Sequence, residues 1–519
     1  MCGLVAYVGR YAPEHASVID GLNKRLRHRG PDDSGHHRLR NAALAHRRLS
    51  IIDVNGGKQP LLDVDGAAAL VCNGEIYNHR AIRAELEPQH RFRTGSDSEA
   101  ILHLYKARGS ASVEELDGMF AFVVADGDGF LAARDPFGIK PLYAGRDAEG
   151  SWFASELKAL PAACRDVKEI PPGSLLTESG EVRRWFNPPW RDPASEPVAA
   201  EPSVLTAKLE TAVVKRLMSD VPLGVFLSGG LDSSIISGLV RRHRSDLHSF
   251  AVGMDGAPDL PAARCVADHL GTRHHEYRYT PTEATRALEH VIYHLESYDA
   301  ALIRSAVPCY FVSKLASEHV KVVLSGEGAD EAFAGYRYMS EIHDPAALHR
   351  ECVRLLLNLH NMNLQRVDRM TMAHALEGRV PFLDVDFVAW AMALDPAEKL
   401  QRPDRPEKWL LRNAFESLLP SEIVWRKKEE FAAGCGSEDV FRDHGERSVT
   451  DADFGKAAER FPIDTPTTKE AFLYRRVFEE RFPGESARGT VGRWLGTATS
   501  ANTGGEVVVC QNSTERNPE

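Results

Sequence analysis

The chain has 519 residues, of which 43% are hydrophobic, 26% charged and 8% aromatic. At about 100–200 residues per domain, that is enough apolar material for two large cores and too much for a disordered chain. Lys and Arg total 63 against 74 Asp and Glu, a formal net charge of −11, which argues against a nucleic-acid or anionic-membrane partner.

No window approaches the roughly 18 uncharged residues that a membrane helix needs. MCGLVAYVGRYAPEH lacks the basic start and long apolar run of a signal peptide. The 8 cysteines form no CxxC pair, so a zinc or disulfide framework is not expected, and a reducing cytoplasm is the simplest home.

Residues 2–185 read as one unit. Short β-rich runs recur at 4–9, 42–46, 70–77, 120–127, 130–135 and 151–155, most of them separated by turn residues. A helical stripe (Ala100, Ile101, Leu104, Tyr105) marks 97–107. Many strands with few helices predict stacked sheets covered by helices. The Pro-rich stretch 186–203 is the expected linker. After it the rhythm becomes β–α–β–α, with strands expected at 223–227, 247–252, 274–279 and 320–325. Such alternation implies a parallel sheet with helices on both faces. From about 345 the pattern is mainly helical. The second domain is expected to close near 482, and 483–519, rich in Gly, Ser and Thr, is expected to be a mobile tail.

Two places carry chemistry. Cys2 becomes the first residue if Met1 is removed, as its small side chain favours. A thiol then shares one residue with a free α-amine, which titrates at about 7.7–8.0 and can take the thiol's proton. The second place is VPLGVFLSGGLDSS (221–234). A buried strand runs into two glycines and a helix, so backbone N–H groups and the hydroxyls of Ser233 and Ser234 can cradle phosphate. No lysine succeeds them as in GxxxxGK[ST]. Asp232 would repel phosphate unless a cation lay between, so it predicts Mg²⁺. A second acidic turn, LSGEGADE (324–331), offers Asp330 to the same ion.

Cys2-Gly3, RHRGPDDSG (27–35), AHRRLSIID (45–53), NGEIYN (73–78) and GSDSE (95–99) together resemble the class II glutamine amidotransferases. The resemblance implies an α+β N-terminal nucleophile hydrolase domain, an αββα sandwich that releases ammonia from glutamine. It implies Cys2 as nucleophile, with Asn73 and Gly74 as the oxyanion hole. Arg48 would bind the α-carboxylate, Asp97 the α-ammonium, and the backbone of Leu49, Ser50, Ile51, Ile52 and Glu75 would hold the rest of glutamine.

SGGLDSS resembles the pyrophosphate loop of the ATP pyrophosphatases. That implies ATP contacts from Leu227, Ser228, Gly229, Gly230, Asp232, Ser233, Ser234, Val252, Ser325 and Gly326, and Mg²⁺ on Asp232 and Asp330. Glu327 would serve acyl-adenylate formation, and Lys428 in WRKKEEF would neutralise phosphate charge.

With both halves and the stretches 249–276, 294–310, 375–384 and 466–483, the whole chain resembles the glutamine-hydrolysing asparagine synthetases. The substrates would be aspartate, glutamine and ATP, the intermediate β-aspartyl-AMP, and the assembly a homodimer. Arg304 offers a cation for a substrate carboxylate or a structural ion pair. Two rivals stand beside this reading: the same enzyme plan acting on another acid, and a tRNA-modifying ATP pyrophosphatase, which the net charge and the lack of CxxC oppose. A non-catalytic scaffold would not need Cys2, Asn73, Asp97, Asp232 and Glu327 together. The pairs His36-His37 and His274-His275 are not expected to bind metal, because adjacent strand residues point to opposite faces.

Overall fold

A computed structural model of the protein describes residues 2–10, 14–127 and 129–493. Among the described residues, 17 strands form three sheets. In chain order they are β1 (Cys2–Gly9), β2 (Asp33–Arg38), β3 (Ala42–Arg48), β4 (Leu61–Leu62), β5 (Ala69–Ile76), β6 (Gly118–Ala125), β7 (Phe130–Arg134), β8 (Tyr143–Arg146), β9 (Gly150–Ala154), β10 (Arg165–Glu169), β11 (Ser174–Thr177), β12 (Val182–Arg184), β13 (Leu223–Phe226), β14 (His248–Gly253), β15 (Arg273–Arg278), β16 (Val322–Leu324) and β17 (Glu377–Arg379).

The first two sheets are antiparallel, in the orders β10-β8-β9-β1-β3-β2 and β12-β11-β7-β6-β5-β4. Period-2 alternation builds their four layers. Leu4, Ala6 and Val8 of β1 meet Val71, Ala121 and Val123 between the sheets. Val5 and Tyr7 face the other way, under Ile19 and Leu22 of the helix Glu14–Arg25. On the far side, Phe120, Phe122 and Val124 are covered by Ile101 and Leu104 of the helix Glu99–Arg108. A one-residue slip in β1 or β6 would exchange the two faces. This is the αββα sandwich expected.

β2 was not among the expected β-rich runs, although His36-His37 was read as a strand pair: its burial alternates along a polar edge strand beside β3. The sandwich's last strand ends at Arg184, and the next helix, Pro202–Lys215, opens the second half. The connection is anchored by buried Trp190, whose carbonyl accepts from His349 Nε2 at 3.0 Å.

The third sheet has the order β15-β14-β13-β16-β17, and every neighbouring pair is parallel. The chain moves outward from β13 to β15, then returns to the other side of β13 for β16. The strand order therefore reverses between β13 and β16, and a ligand crevice forms beyond their carboxyl ends. β17 was also unforeseen, being three residues with two buried charges in a helical region. Residues 485–488 of the expected tail form a short helix with Ala487 buried, and 494–519 lie outside the described residues.

Candidate active site

The first centre lies at the start of β1. Cys2 pairs with Arg48 across β3, so the register sets the proposed nucleophile beside the proposed carboxylate anchor. The Cys2 N–H donates to Asn73 Oδ1 at 2.9 Å. Asn73 Nδ2 is buried and has no hydrogen-bond partner among the described residues. A buried orphan donor is costly, and this one stands beside Cys2, where a developing oxyanion would accept from it. Gly74 is required sterically: a Cβ there would lie 2.1 Å from the Met119 carbonyl oxygen. Burial pushes the Cys2 thiol above its ordinary value, opposed in part by the Leu49 N–H and Arg48.

The Arg48 guanidinium donates to the carbonyls of Ile52, Asp53 and Val54 at 3.0, 2.7 and 3.2 Å. Asp97 accepts the Ile76 N–H at 2.7 Å, and burial lifts its carboxyl to about 6 despite the Ile76 and Ser98 N–H groups. Its side chain does not cap the helix Glu99–Arg108; Ser98 holds the N-cap position. Leu49 and Ile51 are buried in the core of the second half, among Leu205, Leu209 and Leu223. The Ser50 N–H donates to Asp32 at 2.8 Å, and the Asp220 N–H to the Ile51 carbonyl at 3.1 Å. The loop 48–53 is thus held from both halves of the chain.

Charges cross the boundary as well. Arg29, fully buried, donates to the Cys2 carbonyl at 2.8 Å and forks onto Asp368 at 2.9 and 3.1 Å. Arg379 of β17 lies 2.6 Å from Glu377 and 3.6 Å from Glu75. Burial, then the nearby Glu377 and Asp97, push the Glu75 carboxyl well up. None of Arg29, Asp368, Glu377 and Arg379 was foreseen. The one sequence signal is NLQRVDRMTM, where Arg366, Asp368 and Arg369 interrupt a run that is buried from Leu364 to Met372.

The second centre is a cavity of about 570 Å³ at the ends of β13 and β16. Leu227, Ser228, Gly230, Asp232, Ser233, Val252, Ser325, Gly326, Glu327, Asp330 and Lys428 all line it. Gly229 stands behind them with φ +73, and a Cβ there would meet Ala262 at 2.5 Å. Ser234 is turned inward: its Oγ donates to the Gly230 carbonyl at 2.7 Å and closes the first helical turn. Gly326 lets the second loop press on the first, since a Cβ would sit 2.9 Å from Asp232 Cβ.

Lys408, which no sequence motif marks, donates to both Asp232 oxygens at 2.8 and 2.7 Å and to Asp330 Oδ1 at 2.9 Å. Three carboxylate oxygens therefore already gather one cation, a donor set that suits Mg²⁺. Lys428 also pairs with Asp330, while Lys427 is exposed. Burial opposes ionisation of Asp330, yet the two lysines hold it below the usual carboxylate range. Asp330 lies inside the helix Ala329–Ala332 and is not its cap. Glu327 pairs with Arg366 at 2.5 Å. Arg304 lines the cavity and forks onto Glu470 at 2.8 and 2.6 Å, the ion pair that was one of its two expected roles.

The sequence matches the family profile described as "Glutamine amidotransferase domain" over residues 1–177 and that described as "Asparagine synthase" over 205–344 and 340–501. The chain is 46% identical to asparagine synthetase [glutamine-hydrolyzing] 2 of Arabidopsis thaliana, over 95% of this chain and 89% of that protein. The chain belongs to the glutamine-hydrolysing asparagine synthetase family. It is 45% identical to the family member of Triphysaria versicolor, over 99% of this chain and 90% of that protein. Among solved structures, glutamine phosphoribosylpyrophosphate amidotransferase from B. subtilis, complexed with ADP and GMP, aligns with a TM-score of 0.31 and 19% identity, covering 47% of this chain and 64% of that chain. The fold assignment rests instead on the strand orders above. In family terms, the first sandwich is the amidotransferase half and the parallel sheet the synthetase half.

Proposed function

We propose that the protein makes asparagine from aspartate, spending ATP and taking nitrogen from the side-chain amide of glutamine. One observation carries the reading: a single chain holds a buried cysteine beside an orphan amide donor and an open crevice that gathers cations on two carboxylates. It is a carbon–nitrogen ligase.

In the first half-reaction Arg48 holds the α-carboxylate of glutamine and Asp97 its α-ammonium. The Cys2 sulfur attacks the amide carbon. The thiol is protonated at rest, so its proton passes to the α-amine that Met1 removal exposes. Asn73 Nδ2 and the Gly74 N–H receive the oxyanion, and the backbone of Leu49 to Ile52 and Glu75 frames the substrate. As the tetrahedral intermediate collapses the amide nitrogen takes that proton and leaves as NH₃, and the thioester left behind is hydrolysed by water to glutamate.

In the second, the SGG loop and the helix Leu231–His243 receive the phosphates, while Leu227 and Val252 border the nucleoside. Asp232 and Asp330 would hold Mg²⁺, which supplies charge neutralisation at the phosphates when bound. The β-carboxylate of aspartate attacks the α-phosphorus, and pyrophosphate leaves. Lys428 stabilises the leaving charge. Glu327, steered by Arg366, orients the acid or takes a proton from ammonia. Ammonia then attacks the β-acyl carbon of β-aspartyl-AMP, and AMP departs. A dry path between the centres keeps NH₃ unprotonated; β17 stands between them, with Glu377 close enough to influence Cys2 and the Arg379 carbonyl accepting from the Ser325 N–H at 2.9 Å.

A homodimer and a cytoplasmic setting belong to the same reading, on the family resemblance. Among the described residues no helix is long and apolar enough to cross a membrane. Pyrophosphate release measured with aspartate and a panel of other acids tests the substrate. Release that depends on aspartate alone supports the reading; a preference for another acid replaces it with the rival that keeps the same plan.

A further inference from the structure

The end of the parallel sheet opposite the crevice gathers three histidines. His248 opens β14, His275 is the third residue of β15, and His319 lies between the helix Ala300–Ser317 and β16. Phe250 and His275 are register partners. Residues two apart share a strand face, so His248, Phe250 and His275 lie on one face. His274 takes the other, where its Nδ1 is 2.9 Å from Ser249 Oγ. His274 and His275 thus point apart, as expected of neighbours in a strand, but His275 finds partners on other segments. His248 Nδ1 and His275 Nε2 are 3.0 Å apart. The His275 and His319 rings stack with centroids 3.9 Å apart. One ring nitrogen from each of the three histidines lies within 4.8 Å of the others.

We propose that His248, His275 and His319 form a binding site for a transition-metal ion of the Zn²⁺ class, on the end of the sheet remote from the nucleotide crevice. Imidazole suits such ions, and three nitrogens plus a water complete a tetrahedral shell. Neutral imidazoles 3.0 Å apart must share one proton between two lone pairs; an ion in that place satisfies both, with His319 as the third ligand. Burial lowers the pKa of His248 against the pull of Asp246, and burial with the neighbouring histidines and Arg273 lowers that of His275. Asp246 is itself paired with Arg273 at 2.7 Å. Val252, which lines the crevice, is four residues along β14 from His248, about 13 Å at 3.3 Å per residue. The ion would tie two strands to the end of a helix and take no part in the ligase chemistry.

The test uses the untagged full chain, stripped with chelator and dialysed against Zn²⁺ or Co²⁺ in excess Mg²⁺. Bound metal is counted by mass spectrometry, and Co²⁺ ligation is read from its visible spectrum. We expect one tight equivalent with nitrogen-ligated Co²⁺ bands. We expect affinity to fall by at least about 10–100-fold in His275→Asn and in His319→Asn, a loss typical even of groups one step removed from a metal. His319 is exposed, so its variant should fold normally. His274→Asn should bind as the parent does. Binding should weaken as pH falls, because a protonated imidazole cannot ligate a metal. Absence of tight binding, equal affinity in His319→Asn and the parent, or a thiolate-to-Co²⁺ charge-transfer band would each overturn the site.

Discussion

The Cys2 centre is buried and settles its charges across the boundary between the two halves, whereas the crevice at β13 and β16 keeps its charges facing a cavity of about 570 Å³. At Cys2, Arg29 and Asp368 neutralise each other out of water, and Asn73 Nδ2, a buried donor without a hydrogen bond among the described residues, is neutral. At the crevice, Lys408 and Lys428 hold two carboxylates. The contrast matches the chemistry. Amide hydrolysis develops one small negative charge, which a fixed neutral donor serves at little desolvation cost. Adenylation brings a polyanion and a cation together, which needs mobile charges of both signs. The helix Asn363–Met372 touches both regimes, with Arg366 on Glu327 and Asp368 on Arg29.

Separating the two centres should have the largest effect. Cys2→Ala should cut glutamine-dependent synthesis by at least about 10⁴-fold, as loss of a nucleophile does elsewhere. Synthesis from ammonium salts should persist; loss of both activities would break the division into two centres. The converse variant, Glu327→Gln, should abolish aspartate-dependent pyrophosphate release while glutamate formation from glutamine continues, checked by assaying both products in one reaction.

A smaller effect sharpens the contrast in donors. Asn73→Ala should lower the glutaminase kcat by about 10²–10³-fold, the usual worth of one oxyanion donor, with ammonia-dependent synthesis unchanged. Unaltered glutaminase kinetics would take Asn73 out of the oxyanion hole.

The gentlest probe is pH. Asp97 titrates at about 6 in the folded chain, raised by burial. It is charged above that value and neutral below it, while the glutamine α-ammonium stays protonated on both sides. The KM for glutamine should therefore rise as pH falls through about 6, and Asp97→Asn should show a high KM without that dependence.

Much of this was legible in the sequence, for physical reasons. Strands buried on one or both faces announced themselves in β1, β5, β6 and β13, and the glycines marked places where a Cβ has no room, as at Gly229 and Gly74. The polar edge strand β2 and the three-residue β17 carry no such periodicity. The motif residues fell into place because the end of a strand fixes the position of the turn that leaves it. Arg366, Lys408 and Arg29 did not, because their partners lie 39, 78 and 339 residues away in the chain. Long charged side chains in such pairs have no local signature. The three histidines illustrate the same limit: the adjacent pair in β15 was visible, but the face that His275 shares with His248 and His319 exists only in the folded sheet.

The most direct test of the central claim is the fate of nitrogen. Purified protein is supplied with aspartate, ATP, Mg²⁺ and glutamine labelled with ¹⁵N at its side-chain amide, in unlabelled ammonium, and the product is weighed by mass spectrometry. The account predicts asparagine one mass unit heavy, formed with AMP and pyrophosphate in equal amounts. Asparagine carrying only unlabelled nitrogen, or glutamate formed with no amidated acid at all, would contradict it.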